Sequence, residues 1–219
     1  MIAWVYERAR QAASLDHLLV ATDSEEVESY CRGQAIPVMM TSREHHSGTD
    51  RVVEVMGREP AEIYVNIQGD EPMITPDHLE RLLRPFQEAP ATQVSTLKVA
   101  ISAECARDPN NVKVVTDACG RALYFSRAPI PYDRDGRGRA WYFKHLGIYA
   151  FRAAALEKFH RLPPSTLEQV EKLEQLRFLE NGTAIAVVET PHDTIGVDTE
   201  EDLERVEAYF RGLELQPGG

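Results

Sequence analysis

Apolar positions recur every three to four residues over 2–13 (IAWVYERARQAA), the spacing of one helix face, and then crowd into a run of strand length over 17–23 (HLLVATD). The same exchange of periods repeats along the first half of the chain. Residues 24–33 predict a helix, with Ser24 as N-cap, Glu25 and Glu26 in the first turn and Gly33 as its stop. A strand over 35–41, a helix over 48–57, a strand over 62–67 and a helix over 75–86 follow, the last opened by Thr75 and by Pro76 at its first position. Strands alternating with helices predict right-handed βαβ units and therefore an α/β, doubly wound, mostly parallel Rossmann-like sheet.

Past residue 92 the pattern becomes β-rich. Strands are predicted over 93–101, 111–117 and 121–127, the last two joined by a turn, DACG, as in a hairpin. A loop rich in Gly, Pro and charge (128–139) leads to a strand over 141–152. Helices over 153–160 and 165–180 follow, the second stopped at Asn181-Gly182, then a strand over 184–190 and an amphipathic helix over 199–210. No repeat or low-complexity linker sets the β-rich stretch, about 93–152, apart from the rest, so residues 1–219 predict a single domain carrying a β-rich insertion.

Composition narrows the partners. A formal net charge of −11 argues against non-specific binding to nucleic acid or to an anionic membrane, so neither is expected. Cys31, Cys105 and Cys119 form no CxxC pair, and no apolar run reaches bilayer length. Together these predict a soluble protein of a reducing, cytoplasmic setting.

The chemistry gathers where strands end. In VNIQGDEPMI (65–74) a strand delivers Gln68, Gly69, Asp70 and Glu71 before Pro72, more polar groups than a turn alone requires. Ligands of open α/β sheets sit at the carboxyl ends of strands, which selects Thr22-Asp23, Thr41 to Arg51, Gln68 to Glu71 and Gly196-Val197-Asp198. Asp70 and Asp198 could share a hard cation such as Mg²⁺; equally open is that Asp198 or Thr199 only caps the helix behind it. His45-His46 reads as a solvated loop pair, because adjacent side chains diverge and no third ligand is spaced to join them. In KHLGIYAF (144–151), His145 and Tyr149 fall on one face of a strand. Glu168, Glu171 and Lys172 read as a solvated helix face.

TSREHHSGTDR (41–51), VNIQGDEPMI (65–74), NVKVV (111–115), ALYFSRAPIP (122–131), KHLGIYAFR (144–152), LEQVEKLEQLR (167–177) and GVDTEEDLERV (196–206), in that order, resemble the 3-deoxy-manno-octulosonate (Kdo) cytidylyltransferases, or CMP-Kdo synthetases. The resemblance runs through nearly the whole chain. It implies the nucleotide-diphospho-sugar transferase type of fold and a Mg²⁺-dependent transfer in which CTP and Kdo give CMP-Kdo and pyrophosphate for lipopolysaccharide synthesis. Asp70 and Asp198 would then be the catalytic and metal-binding carboxylates. Ser47, Gly48, Thr49, Arg51, Gln68 and Gly69 would lie on the nucleotide side. Arg127, His145, Tyr149, Glu174 and Gln175 would lie on the sugar side, with the planar fork of Arg127 suited to a sugar carboxylate. A homodimer through the β-rich region is also implied. Glu71 is left between a part in the site and a part in shaping the turn before Pro72.

The family places a strand and a basic loop of the type R-x-x-S-x-R-L-P-G-K ahead of the helix matching 2–13, where these 219 residues begin. That strand is central in a 3-2-1-4 order, so without it a gap is expected between its neighbours, and a chain that is poorly soluble or molten and inactive. Other readings stay open: a non-catalytic relic binding a sugar acid or a partner chain, or a cytidylyltransferase for another sugar acid such as a sialic acid, from which KHLGIYAF and LEQLR point away.

Overall fold

The computed structural model describes residues 1–45, 47–136, 138, 140–197 and 199–214, the last three as backbone only. Its elements follow the predicted order: α1 (Ile2–Ala9), β1 (Val20–Thr22), α2 (Glu25–Gly33), β2 (Val38–Met40), α3 (Gly48–Met56), β3 (Ile63–Asn66), α4 (Pro76–Glu88) and β4 (Val94–Ile101). Then come β5 (Lys113–Thr116), β6 (Ala122–Ser126), β7 (Tyr142–Arg152), α5 (Ala153–Arg161), α6 (Thr166–Glu171), α7 (Gln175–Glu180), β8 (Ile185–Glu189) and α8 (Glu200–Glu214).

Local chemistry sets the boundaries. Ser24 caps α2 by accepting from the Val27 N–H at 3.3 Å. Thr75 caps α4, and its own N–H donates to His78 Nδ1 at 3.1 Å. Nδ1 is therefore the bare nitrogen, and Nε2–H donates to the His192 carbonyl at 2.9 Å. This bond ties the start of α4 to the segment after β8.

β3, β4 and β8 run in one direction. β7, however, lies between β3 and β4 and pairs antiparallel with both, while β4 and β8 pair in parallel. β5 and β6 form the expected antiparallel hairpin, with Gly120 at φ +76° in its turn. The parallel direction read from the strand–helix alternation is thus interrupted by one long strand, which local periodicity does not reveal. Helices cover both faces. Val5 and Ala9 of α1 and Leu79, Leu82, Leu83 and Phe86 of α4 pack with Leu97, Leu146 and Ile148 on one side. Tyr64, Tyr149, Phe151, Phe159, Leu176 and Phe178 fill the other, against Val52 and Val53 of α3.

Two differences from the sequence reading have physical causes. The helix expected over 165–180 is two helices, because Lys172 adopts the left-handed conformation (φ 55°, ψ 48°) that ends α6. The turn lets Leu173 bury and brings Arg177 back onto Glu168, both nearly buried as an ion pair. Second, β1 and β2 form a parallel pair separate from the six-stranded sheet. Between β1 and β3 lies a cavity of about 560 Å³, floored by Ile2, Val5 and Tyr6 of α1 and roofed by Val52 and Val55 of α3.

Candidate active site

The four strand-end stretches singled out by sequence meet. Arg51, on the second turn of α3, pairs with Asp23 beyond β1 at 3.4 Å and donates to Thr41 Oγ1 beyond β2. Gly48 opens α3 directly over the end of β3: a Cβ there would lie 2.8 Å from Gln68 Nε2 and 3.0 Å from Asn66 Nδ2, so only glycine lets the helix approach this closely. The Val197 N–H donates to the Asp70 carbonyl at 2.9 Å, laying the segment after β8 along the Gln68–Glu71 turn.

Ser47 is the N-cap of α3, accepting from the Asp50 N–H at 3.1 Å. Thr49 is not a cap. It is buried, and its Oγ1 donates to Glu174 Oε1 at 2.8 Å, linking the nucleotide-side motif to the sugar-side motif. Burial pushes the Glu174 carboxyl up, against the Thr49 and Ser47 hydroxyls that favour its charged form. Gln175, next in the chain, is buried. Gly69 is exposed on the turn, with Ile2 of α1 its neighbour.

His145 and Tyr149 meet with ring centroids 5.3 Å apart. The register against β4 shifts between Thr96 and Leu97, and the Thr96 hydroxyl fills the irregularity, lying 2.8 Å from the Ile148 carbonyl and 3.0 Å from His145 Nε2. Burial holds the His145 ring far below its ordinary range, at about 3, so it is a neutral hydrogen-bonding group. Burial raises the Tyr149 phenol, with Glu174 adding to the effect. Tyr149 Oη and Glu174 Oε2 are both buried with no hydrogen-bond partner among the described residues. A folded protein keeps few such groups, and a polar ligand would satisfy them.

Arg127 lies at the end of β6, but its Nε donates to the Glu171 carbonyl at 2.9 Å and its Nη1 to the Pro109 carbonyl at 3.1 Å. A grip on a sugar carboxylate would have to use its remaining N–H groups. Glu171, read from sequence as solvated, is instead a structural acceptor for Ser126 Oγ at 2.6 Å and for the Arg127 N–H at 2.9 Å. His45 likewise is no free loop residue, its Nε2 lying 2.6 Å from Glu54 Oε2. His46 and Asp198 lie outside the described residues.

Sequence reasoning passed over Asn66, Lys144 and Thr194. Lys144 Nζ holds Asp193 at 2.9 Å and the Thr194 carbonyl at 2.8 Å, fixing the segment that reaches Val197. The same segment encloses Glu71: burial pushes its carboxyl up to about 7, opposed by the Thr194 hydrogen bond and by Lys144. A polar residue two before Gln68, on the same strand face, was the available signal for Asn66.

Among the described residues no group of three or more His, Cys, Asp or Glu side chains is disposed to hold a metal. Mg²⁺ commonly takes only one or two carboxylates, completing its shell with phosphate oxygens and water. Asp70, half-buried on the turn beside Val197, has the donor chemistry for that arrangement.

Residues 1–186 match the family profile described as cytidylyltransferase. The chain belongs to the cytidylyltransferase family. It is 58% identical over 207 residues to a 3-deoxy-manno-octulosonate cytidylyltransferase of Acidobacterium capsulatum, covering 94% of this chain and 84% of that one. The corresponding enzyme of Koribacter versatilis is 53% identical over 211 residues, covering 96% and 80%. A solved CMP:2-keto-3-deoxy-manno-octonic acid synthetase complexed with CTP superposes with a TM-score of 0.92 at 47% identity, covering 96% of this chain and 87% of that one. A cytidylyltransferase from Leptospira borgpetersenii, at 15% identity and a TM-score of 0.61, covering 96% of this chain and 75% of that one, shares the fold alone. For this cytidylyltransferase, the contact of Thr49 with Glu174 and the contact of Asp70 with Val197 are two of the points where its motifs join.

Proposed function

We propose that the protein transfers the cytidylyl group of CTP to Kdo: the anomeric hydroxyl oxygen attacks the α-phosphorus, the bond to the β-phosphate oxygen breaks, and pyrophosphate leaves. The relatives' names support this reading, and one observation carries it. Two buried, unpartnered polar atoms suited to a polyol, Tyr149 Oη and Glu174 Oε2, adjoin the nucleotide-side motif through the Thr49–Glu174 bond. Such a transfer depends mainly on alignment and on neutralising phosphate charge.

Gln68 and the opening turn of α3 hold the nucleotide, with Arg51 bracing the ends of β1 and β2. His145, Tyr149, Glu174 and Gln175 orient the sugar acid, and Arg127 shapes its rim. Asp70 and Asp198 would hold Mg²⁺, which when bound supplies the positive charge that an acidic protein needs to accept two acidic substrates. We further propose a cytoplasmic homodimer. Exposed Leu123 (62%), Tyr132 (84%) and Trp141 (80%) in the β-rich region support its interface. Among the described residues no helix is long and apolar enough to cross a membrane.

The test is pyrophosphate release from CTP with Kdo as acceptor, with a sialic acid as the competing acceptor. Asp70→Asn offers a neutral oxygen in place of a carboxylate and is expected to cut turnover by about 10²-fold or more at unchanged fold. Turnover within about threefold of the parent would overturn the role of Asp70, and preference for the sialic acid would overturn the choice of sugar.

A further inference from the structure

Asn66 is the last residue of β3 and is 8% exposed, yet its Nδ2 has no hydrogen-bond partner among the described residues. A buried amide left this way is destabilising, so it is kept only where something offsets that. The strand ladder places it. Asn66 stands directly opposite Tyr149 on β7, and Tyr149 stands opposite Thr96 on β4. Residues paired this way point to one face, the face that α3 covers. Gly48 of α3 brings the helix backbone close over the amide, since a Cβ there would sit 3.0 Å from Nδ2. Tyr149 carries a second buried, unpartnered atom, a phenol that both donates and accepts, and Glu174, whose charge acts on that phenol, carries a third, the acceptor Oε2. A phosphate, which offers acceptors only, needs no such mixture. Neighbouring hydroxyl groups, each donating one hydrogen bond and accepting another, do.

We infer that Asn66 is a sugar-positioning residue, its amide donating to a hydroxyl oxygen of the polyhydroxylated substrate that Tyr149 and Glu174 also contact. The inference rests on the reading of the site as a sugar-acid site and gives a role to a residue to which the resemblance assigned none. Because Gln68 Nε2 approaches the same Gly48 position, Asn66 marks where the sugar side meets the nucleotide side.

The test is calorimetric titration of the 219-residue protein with Kdo and, separately, with CTP. Asn66→Ala is expected to weaken Kdo binding by about tenfold, the usual size of one lost hydrogen bond in a buried site, and to leave CTP within about twofold. Asn66→Asp keeps the side-chain volume and removes the donor, so it is expected to lose at least as much even if the alanine variant folds poorly. Unchanged Kdo binding in Asn66→Asp, or equal losses for Kdo and CTP, overturns the assignment of Asn66 alone. A parent protein that binds CTP but not Kdo overturns the sugar-acid reading, and the assignment falls with it.

Discussion

Thr49 and Glu174 are 125 residues apart in the chain, and one 2.8 Å bond between them joins the two halves of the site. Glu174 is buried beside a phenol that finds no partner of its own, so the Thr49 hydroxyl is a main reason its carboxylate tolerates the position. Thr49→Val keeps the shape and removes the donor. The expected result is a rise of about tenfold in the Kdo requirement, with a smaller effect on CTP; steady-state kinetics with each substrate varied would read it. His145 carries a pH signature. Unfolded it binds a proton near 6.5, folded only near 3, so between these values the unfolded chain holds more protons and stability falls as pH drops. The Tm of the parent is expected to fall from pH 6.5 toward 4 more steeply than that of His145→Gln. Parallel curves would show that the ring is not held neutral by burial.

At the scale of elements, the break between α6 and α7 sets the position of Glu174 and Gln175. The break turns on Lys172, whose left-handed backbone costs an L-residue about 1–2 kcal/mol. Lys172→Gly removes that cost and adds some unfolded-state entropy, so the net expectation is a gain of up to about 1 kcal/mol. Lys172→Ile, β-branched and poorly suited to positive φ, should lose more than about 1 kcal/mol. Chemical denaturation of the three proteins would rank them. An isoleucine variant as stable as the parent would show that the chain continues helically through 172. The same break lets Glu171 reach Ser126 and Arg127, so the helix face that reads as solvated works as an anchor for the end of β6.

For the molecule as a whole, cohesion is uneven. β4 and β7 share the longest ladder and lie between the two core faces. β1 and β2 are three residues each, paired only with one another across the cavity from β3. Backbone amides whose opening breaks few buried contacts exchange at low free-energy cost. Hydrogen exchange is therefore expected to be faster over 20–22 and 38–40 than over 94–101 and 142–152, by about two orders of magnitude or more. Equal protection would show that the pair is locked into the main sheet.

Local information was enough for the order of elements, for the caps at Ser24 and Thr75 and for the strand-end stretches, because periodicity, capping and turn chemistry act within a few residues. Asp70 and Tyr149 drew attention for the same reason, as polar groups set in or just after a strand pattern, whereas Gly48 entered only through the resemblance. What no local pattern carries is pairing across the chain. β7 runs antiparallel between β3 and β4, Lys172 splits a helix that reads as continuous, and the Arg127 fork turns to the Glu171 and Pro109 carbonyls. Asn66 looks like one more strand residue until Tyr149 stands opposite it and the α3 backbone at Gly48 closes over it. Those contacts are settled only when distant segments compete for the same buried space, and that competition exists only in the folded chain.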